Sequence, residues 1–238
     1  MHKSATVIIL LGPPGSGKGT QAARIAAALD VPTISTGEML RRECQSGSQL
    51  GKLVQAVLAS GQLVSDGLVN HVVASRLRAH DCERGCILDG YPRTVSQARF
   101  LDTLLAGLKM PRPVVFDFEI ESEEVVTRLS RRRQCPECGR VFSLEATGAG
   151  ELLCDRDGQL LIEREDDNPA TIRRRLRLYA EHSAELVRYY RSRNYHRICA
   201  SRTPAQISSD LLDVLGFPWA AASNANDSQR TLQLGYHA

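Results

Sequence analysis

Lysine is the scarcest charged residue in this chain: Lys3, Lys18, Lys52 and Lys109 stand against 26 arginines in 238 residues. A lysine in a glycine-rich loop therefore stands out, and Lys18 is so placed. Most of the arginines need no special explanation, because the planar fork that suits phosphate also occurs on ordinary solvated faces. Long apolar runs are also missing. The first, Ala5 to Leu11, is broken by Gly12, Pro13 and Pro14, too short to span a bilayer and without a small-residue cleavage end. The expectation is a soluble, unexported, cytoplasmic protein without a membrane partner. An excess of one charge sign is lacking too: 30 Lys plus Arg against 27 Asp plus Glu leaves +3, too little to mark a nucleic-acid-coating protein. The seven cysteines form no even set, and with no export signal they point to a reducing compartment. There, close cysteine spacing means metal more often than disulfide. At 42% hydrophobic and 24% charged, the composition is that of a folded globular chain with one principal core and room for small insertions.

The chain alternates short β-branched runs with longer helical patterns. Thr6 to Leu11, Val31 to Ser35, Cys86 to Asp89, Val114 to Ile120 and Tyr195 to Cys199 read as strands buried on both faces of a parallel sheet. Lys18 to Leu29 places Ala22, Ile25, Ala26 and Leu29 on one helical face; Ile172 to Tyr190 offers Leu176, Tyr179, Ala180, Leu186 and Tyr190 as inward positions. This predicts an α/β fold, a doubly wound parallel sheet of five strands. The expected core comprises residues 1–35, 65–130 and 168–216. Residues 36–64 form a helical insertion, opened by a Ser35-x-x-Glu38 capping box and marked by Gly47, Gly51 and Gly61. Residues 131–167 form a second insertion, where helical periodicity gives way to Cys, Gly and charge, and Arg140 to Leu144 and Gln159 to Ile162 suggest β-ribbon. From 217 to 238 the sequence is small and polar, and a disordered tail is expected, with docking around Trp219 the alternative.

Gly12, Pro13, Pro14, Gly15, Ser16, Gly17, Lys18, Gly19 and Thr20 follow the first strand and open the first helix, the context of a phosphate-binding loop. Converging backbone N–H groups, the positive helix end and Lys18 would together hold a polyphosphate. Gly19 replaces the Ser or Thr that follows the lysine in the general motif, leaving Thr20 as the hydroxyl available to magnesium. The second insertion carries Cys135-x2-Cys138-x15-Cys154-x2-Asp157. Two tight knuckles of this spacing bring three thiolates and a carboxylate to the corners of a tetrahedron, which suits a closed, structural zinc. So small an insertion needs such a staple.

The loop followed by Ser35-Thr36-Gly37-Glu38-Met39-Leu40-Arg41, then by Leu88-Asp89-Gly90-Tyr91-Pro92-Arg93-Thr94, resembles the ordered motif series of the adenylate kinases. The resemblance runs from about Thr6 to Gly216 and includes the long, metal-bearing lid found in part of that family. It implies ATP, AMP and ADP as substrates, magnesium with the ATP, structural zinc, and a monomer that binds no nucleic acid. It assigns Gly12, Pro14, Gly15, Ser16, Gly17, Lys18, Gly19 and Thr20 to ATP. Arg128 is assigned to the donor adenine, and Arg132, Arg164 and Arg175 to the moving phosphoryl group, the last two also touching the acceptor. Arg41 and Arg93 match the clamp on the AMP phosphate, with Gly90 beside them; Thr36 and Gln97 match the positions that meet the acceptor base. Asp89 would hold magnesium through water. Asp166 and Asp167 match a lid-hinge pair and are read as electrostatic support. Arg131, Arg133, Arg173, Arg174 and Arg177 read as solvated neighbours, and Cys44, Cys82, Cys86 and Cys199 as ordinary core or surface residues. A UMP/CMP kinase, whose relatives usually have short lids, is one competing expectation. The other, of a different class, is a zinc-ribbon nucleic-acid binder with an incidental nucleotide loop.

Overall fold

In the computed structural model, β1 (Thr6–Leu11) lies at the centre of a five-stranded parallel sheet. Its strand order is β2 (Thr33–Ser35), β3 (Gly85–Asp89), β1, β4 (Val114–Glu119) and β7 (Tyr195–Cys199). The structure describes residues 5–46, 48–60, 62–144 and 152–217. Gly47, Gly61 and the expected tail from 218 onward, with Trp219, lie outside them. Alternation along β1 shows why the sheet is covered twice. Val7, Ile9 and Leu11 join Leu88, Val115, Leu101, Leu186 and Tyr190 in one buried layer. Ile8 and Leu10 face the other way, among Ile87, Phe116, Phe118, Ala22, Ile25, Ile207 and Leu211. The first layer is closed by α4 (Asp66–Leu77), α5 (Val95–Gly107) and α7 (Pro169–Tyr190), the second by α1 (Lys18–Leu29) and α8 (Pro204–Val214). Among the described residues no helix is long and apolar enough to cross a membrane.

The five expected strands are all present, with the second and fourth trimmed by two residues and one residue. The expected capping box is not. Ser35 precedes α2 (Thr36–Gln45) in extended conformation, but its side chain makes no cap bond, and Glu38 turns outward to pair with Arg42. Ser48 does cap α3 (Gln49–Ala59), accepting from Gly51 N at 2.8 Å. Of the inward positions expected on α7, Leu186 and Tyr190 are buried and Leu176 and Tyr179 half-buried. Ala180 is exposed, because a helix of 22 residues runs past the sheet for part of its length. After α6 (Ser122–Ser130) come β5 (Arg132–Gln134) and β6 (Val141–Ser143), paired antiparallel, with bridges from Gln134 to Ile162 and from Leu153 to Leu160. Among its described residues this ribbon buries only Cys135, Cys154 and Leu161 in its own cluster, too little apolar area to hold it unaided.

The strand order fixes where a ligand can sit. After β1 the chain enters α1 on one face of the sheet; after the adjacent β3 it enters α5 on the other. Loops 12–17 and 90–94 therefore part in opposite directions and open a crevice at the carboxyl ends of the strands, the usual ligand position in an open α/β sheet.

Candidate active site

The loop from Gly12 to Gly17 must turn the chain between β1 and α1 within six residues. At Gly12, φ is +137°, and a β-carbon there would stand 2.8 Å from Phe118 Cβ, so only glycine fits. Gly17 caps α1 in the left-handed region at φ +92° and provides no side-chain cap, leaving the helix's first N–H groups for an anion. Pro14 and Gly15 continue the loop, and Ser16 is fully buried inside it. Lys18 Nζ donates to Gly12 O at 2.8 Å and Pro13 O at 2.7 Å. Burial pushes this lysine down to about 8; Asp89 opposes the shift, and Arg93, Arg175 and Arg132 add to it. Gly19 and Thr20 are exposed on the first turn of α1, and Asp89 Oδ2 lies 3.7 Å from the point a Gly19 β-carbon would occupy. The Asp89 carboxylate thus sits beside the start of the phosphate-loop helix.

Across the crevice, arginines from distant parts of the chain converge. Arg41, from α2, is held below its ordinary pKa first by burial and then by the charges of Arg132 and Arg175, against Asp166 and Glu38. Its Nε is buried without a hydrogen-bond partner among the described residues. Arg93, after β3, is lowered by burial within the crevice and by Arg175 and Arg41, although its side chain still reaches solvent; its Nε donates to Gly90 O at 2.8 Å. Arg164 is pushed down to about 9 by burial and by Arg132 and Arg41, and still carries its charge at neutral pH. Its Nε donates to Gln134 Oε1 at 2.5 Å.

Two carboxylates hold this group together. Arg132 grips the fully buried Asp167 with Nε and NH2 at 2.7 and 2.5 Å, and Arg175 NH1 reaches the same carboxylate at 3.3 Å and Asp166 Oδ2 at 3.0 Å. Burial alone would raise Asp166, but Arg175, Arg41, Arg132 and Arg164 outweigh it and hold its carboxyl below the usual range. A β-carbon at Gly139, in the ribbon, would lie 3.9 Å from Glu38 Oε1 of α2. The ribbon therefore lies over the first insertion, and Lys18, Arg41, Arg93, Arg132, Arg164 and Arg175 share one crevice.

Thr36 is buried, and its hydroxyl donates to Gly90 O at 3.0 Å. Gln97, only 2% exposed, accepts from Arg93 N at 2.7 Å through Oε1 and donates from Nε2 to Asp66 Oδ1 at 2.7 Å. At the opposite end, Arg128 NH2 donates to Glu124 Oε1 at 2.5 Å and to Ala200 O at 2.9 Å, which fixes the guanidinium beside the loop after β7. Arg128 stands apart from the cation group. Asp66, Glu124 and Gln134 were not singled out in the sequence, although each holds a site residue. Of these, Glu124 carried a legible signal, its i,i+4 spacing from Arg128. Arg174, expected to be merely solvated, donates to Ser60 O at 3.0 Å and so closes the carboxyl end of α3.

In the ribbon, Cys135, Cys138, Cys154 and Asp157 place four ligand atoms within 4.8 Å of one another. Cys135 N donates to Arg140 O and Gly139 N to Cys135 O; Cys154 N donates to Gln159 O and Gly158 N to Cys154 O. The two knuckles repeat one pattern, each closed by a glycine in the left-handed region. Cys138 and Cys154 sulfurs are 3.6 Å apart, and Cys135 Sγ is 3.3 Å from either Asp157 oxygen. Tetrahedral zinc with bonds of about 2.3 Å to sulfur and about 2.0 Å to oxygen sets such edges at roughly 3.5 to 3.8 Å. The donor set fits that ion, and the sulfurs are far beyond the roughly 2 Å of a disulfide.

A glycine loop at a helix start, facing a group of arginines across a switch-point crevice, defines a phosphate-handling enzyme of the nucleoside monophosphate kinase class. A family model described as adenylate kinase matches residues 10–195. An adenylate kinase of Anaeromyxobacter sp. strain Fw109-5 is 46% identical over 79% of this chain and 88% of its own length. That of Pseudothermotoga lettingae is 46% identical over 79% and 87%, and that of Anaeromyxobacter dehalogenans strain 2CP-C 45% identical over 88% and 99%. The chain belongs to the adenylate kinase family.

Proposed function

We propose that the chain moves the γ-phosphoryl group of ATP to AMP, reversibly, giving two molecules of ADP. An oxygen of the AMP phosphate attacks the γ-phosphorus in line, and the bond to the β–γ bridging oxygen breaks. The attacking group is already anionic, so the enzyme needs positioning and charge neutralisation rather than a general base. The observation that carries this reading is the convergence of six cations from the phosphate loop, the first insertion, the 90–94 loop, the ribbon and α7 on one crevice. Burial first, and then their neighbours' positive charge, lower the pKa of Lys18, Arg41, Arg93, Arg164 and Arg175, which marks a place that favours a polyanion.

In this reading the loop from Gly12 to Thr20 holds the donor phosphates, Arg128 flanks the donor adenine, and Arg132, Arg164 and Arg175 surround the phosphoryl group. Arg41 and Arg93 fork the acceptor phosphate; the orphaned Arg41 Nε supports this, since a phosphate oxygen would satisfy it. Thr36, Gly90 and Gln97 border the acceptor base. Residues 36–64 take the acceptor and residues 131–167 act as the lid, excluding water that would otherwise accept the phosphoryl group. Adenylate kinases use magnesium with ATP, and the oxygen set of Asp89, through water, and the Thr20 hydroxyl suits that ion. Bound there, it would offset phosphate charge. Zinc on Cys135, Cys138, Cys154 and Asp157 would give the ribbon the rigidity its small core cannot.

ADP formation from ATP, followed with AMP, GMP, CMP and UMP as acceptors, tests the proposal. AMP should be strongly preferred, and a diadenosine bisubstrate mimic should bind tightly and compact the enzyme. A pyrimidine acceptor used as well as AMP would overturn it.

A further inference from the structure

Gln97 is buried, and its amide orientation follows from its partners alone. A carboxylate only accepts and a backbone N–H only donates, so Nε2 must face Asp66 and Oε1 must face Arg93 N. One N–H and one lone pair of the amide remain. Asp66 is the first residue of α4, and its carboxylate forks: Oδ1 accepts from Gln97 at 2.7 Å and Oδ2 from the Thr94 hydroxyl at 2.8 Å. Thr94 in turn caps α5 by accepting from Gln97 N at 3.1 Å. One turn along α4, Asn70 accepts from the Tyr91 hydroxyl at 2.6 Å. Two acceptors spaced i,i+4 on α4 therefore fasten the 91–97 segment. Asp66 has no ion-pair partner among the described residues, so its charge is directed at these two bonds.

We propose that Asp66 is a positioning and specificity residue that locks the Gln97 amide in the one orientation that fits a 6-amino purine. The proposal rests on the reading of Gln97 as a base contact. Adenine presents an amino donor at position 6 beside a ring-nitrogen acceptor; a 6-oxo purine presents an acceptor at that position. A glutamine free to flip would satisfy either base. Here a flip would turn Nε2 toward the Arg93 N–H and Oε1 toward the Asp66 carboxylate, setting donor against donor and acceptor against acceptor. The lock also joins the two halves of the acceptor site, because Arg93 forks the phosphate with its side chain while its own N–H orients the base-reading amide.

The test compares kcat/KM for AMP and for inosine monophosphate in the full-length enzyme. Asp66→Leu should narrow the preference for AMP by about tenfold, the scale of one hydrogen bond to a charged group, with KM for AMP rising more than kcat falls. Asp66→Asn should keep the preference within about threefold, since its carbonyl still accepts from Gln97 while its amide donates to Thr94 Oγ1. A merely structural role would depress both acceptors equally in Asp66→Leu, and that outcome overturns the proposal; Asp66→Ala is read the same way should the leucine variant not fold. Gln97→Leu separates the two claims. If it leaves the preference intact, the base contact itself is wrong; if it narrows the preference while Asp66→Leu does not, the lock alone is wrong.

Discussion

Lys18 gives the crevice a pH dependence whose direction can be worked out. Its ammonium group is pushed down to about 8 when no phosphate is near, by burial and by the charges of Arg93, Arg175 and Arg132. Donor phosphates supply the opposite charge and raise it again, so binding ATP is linked to uptake of a proton above pH 8. At pH 7 nearly all of the free enzyme carries the charged lysine; at pH 9 about one molecule in ten does. The affinity for a nonhydrolysable ATP analogue should therefore fall roughly tenfold between pH 7 and pH 9, about 1.4 kcal/mol, and be nearly flat below pH 7.5. Titration calorimetry at fixed ionic strength measures this directly, and buffers of different ionisation enthalpy should show the proton uptake. Lys18→Met should bind more weakly at pH 7 and lose the slope. A wild-type affinity constant across this range, or a slope that survives in Lys18→Met, would refute the assignment. The same shift acts oppositely on the empty fold. Between pH 8 and 10.5 the unfolded chain binds more protons at this lysine than the folded one, so its contribution to stability rises with pH there.

Arg93→Ala and Arg132→Ala should each lower turnover by about 10³-fold or more, the range for arginines that neutralise a phosphoryl transition state; steady-state rates within tenfold of wild type would reject the role. Protein purified without chelator should contain about one zinc per chain by elemental analysis. EDTA should lower its melting temperature, and Cys154→Ser should remove both the metal and the EDTA effect; a metal-free protein indifferent to EDTA would rule out the staple. Asp166→Asn should weaken the hold on Arg175 and Arg41. Because the wild-type carboxyl is held below its usual range, its contribution is present above pH 4 and lost as pH falls through the folded value. Denaturant unfolding followed from pH 7 downward should therefore show the variant's deficit in full at pH 7 and shrinking as the pH falls below 4.

Local signals made much of this legible. Strand hydrophobicity, the glycine loop and the two knuckles act over a few residues, so β1, β7, α1 and the Cys135 to Asp157 spacing could be read directly. The capping box at Ser35 could not be trusted for the same reason: Glu38 has a competing local partner in Arg42, four residues on, and takes it. The supports of the site were hidden because they are tertiary. Asp66 reads as an ordinary acid at a helix start, and 31 residues separate it from Gln97. Gln134 lies 30 residues from Arg164, and Ser60 lies 114 from Arg174. No period or motif links such pairs; only the crossing of elements over the sheet does.

The electrostatics of the crevice explain why closure and binding should be one event. Lys18, Arg41, Arg93, Arg132, Arg164 and Arg175 face Asp89, Asp166 and Asp167, and the cations outnumber the carboxylates. Asp167 is spent on Arg132 and Arg175, and Arg41 keeps a buried Nε without a partner among the described residues. Bringing the ribbon over α2 in the absence of phosphate therefore crowds like charges in a poorly hydrated space, which is unfavourable. A bridging chain of phosphates reverses the sign of that interaction. A ligand shifts a conformational equilibrium by its differential affinity for the two states, and in the proposed function that difference would come from the cations that the ribbon carries to the crevice. A metal held by the two knuckles, as proposed, would matter at this point: a ribbon with so small a core would bend under the same charges, whereas a stapled one would carry Arg132 and Arg164 as a unit.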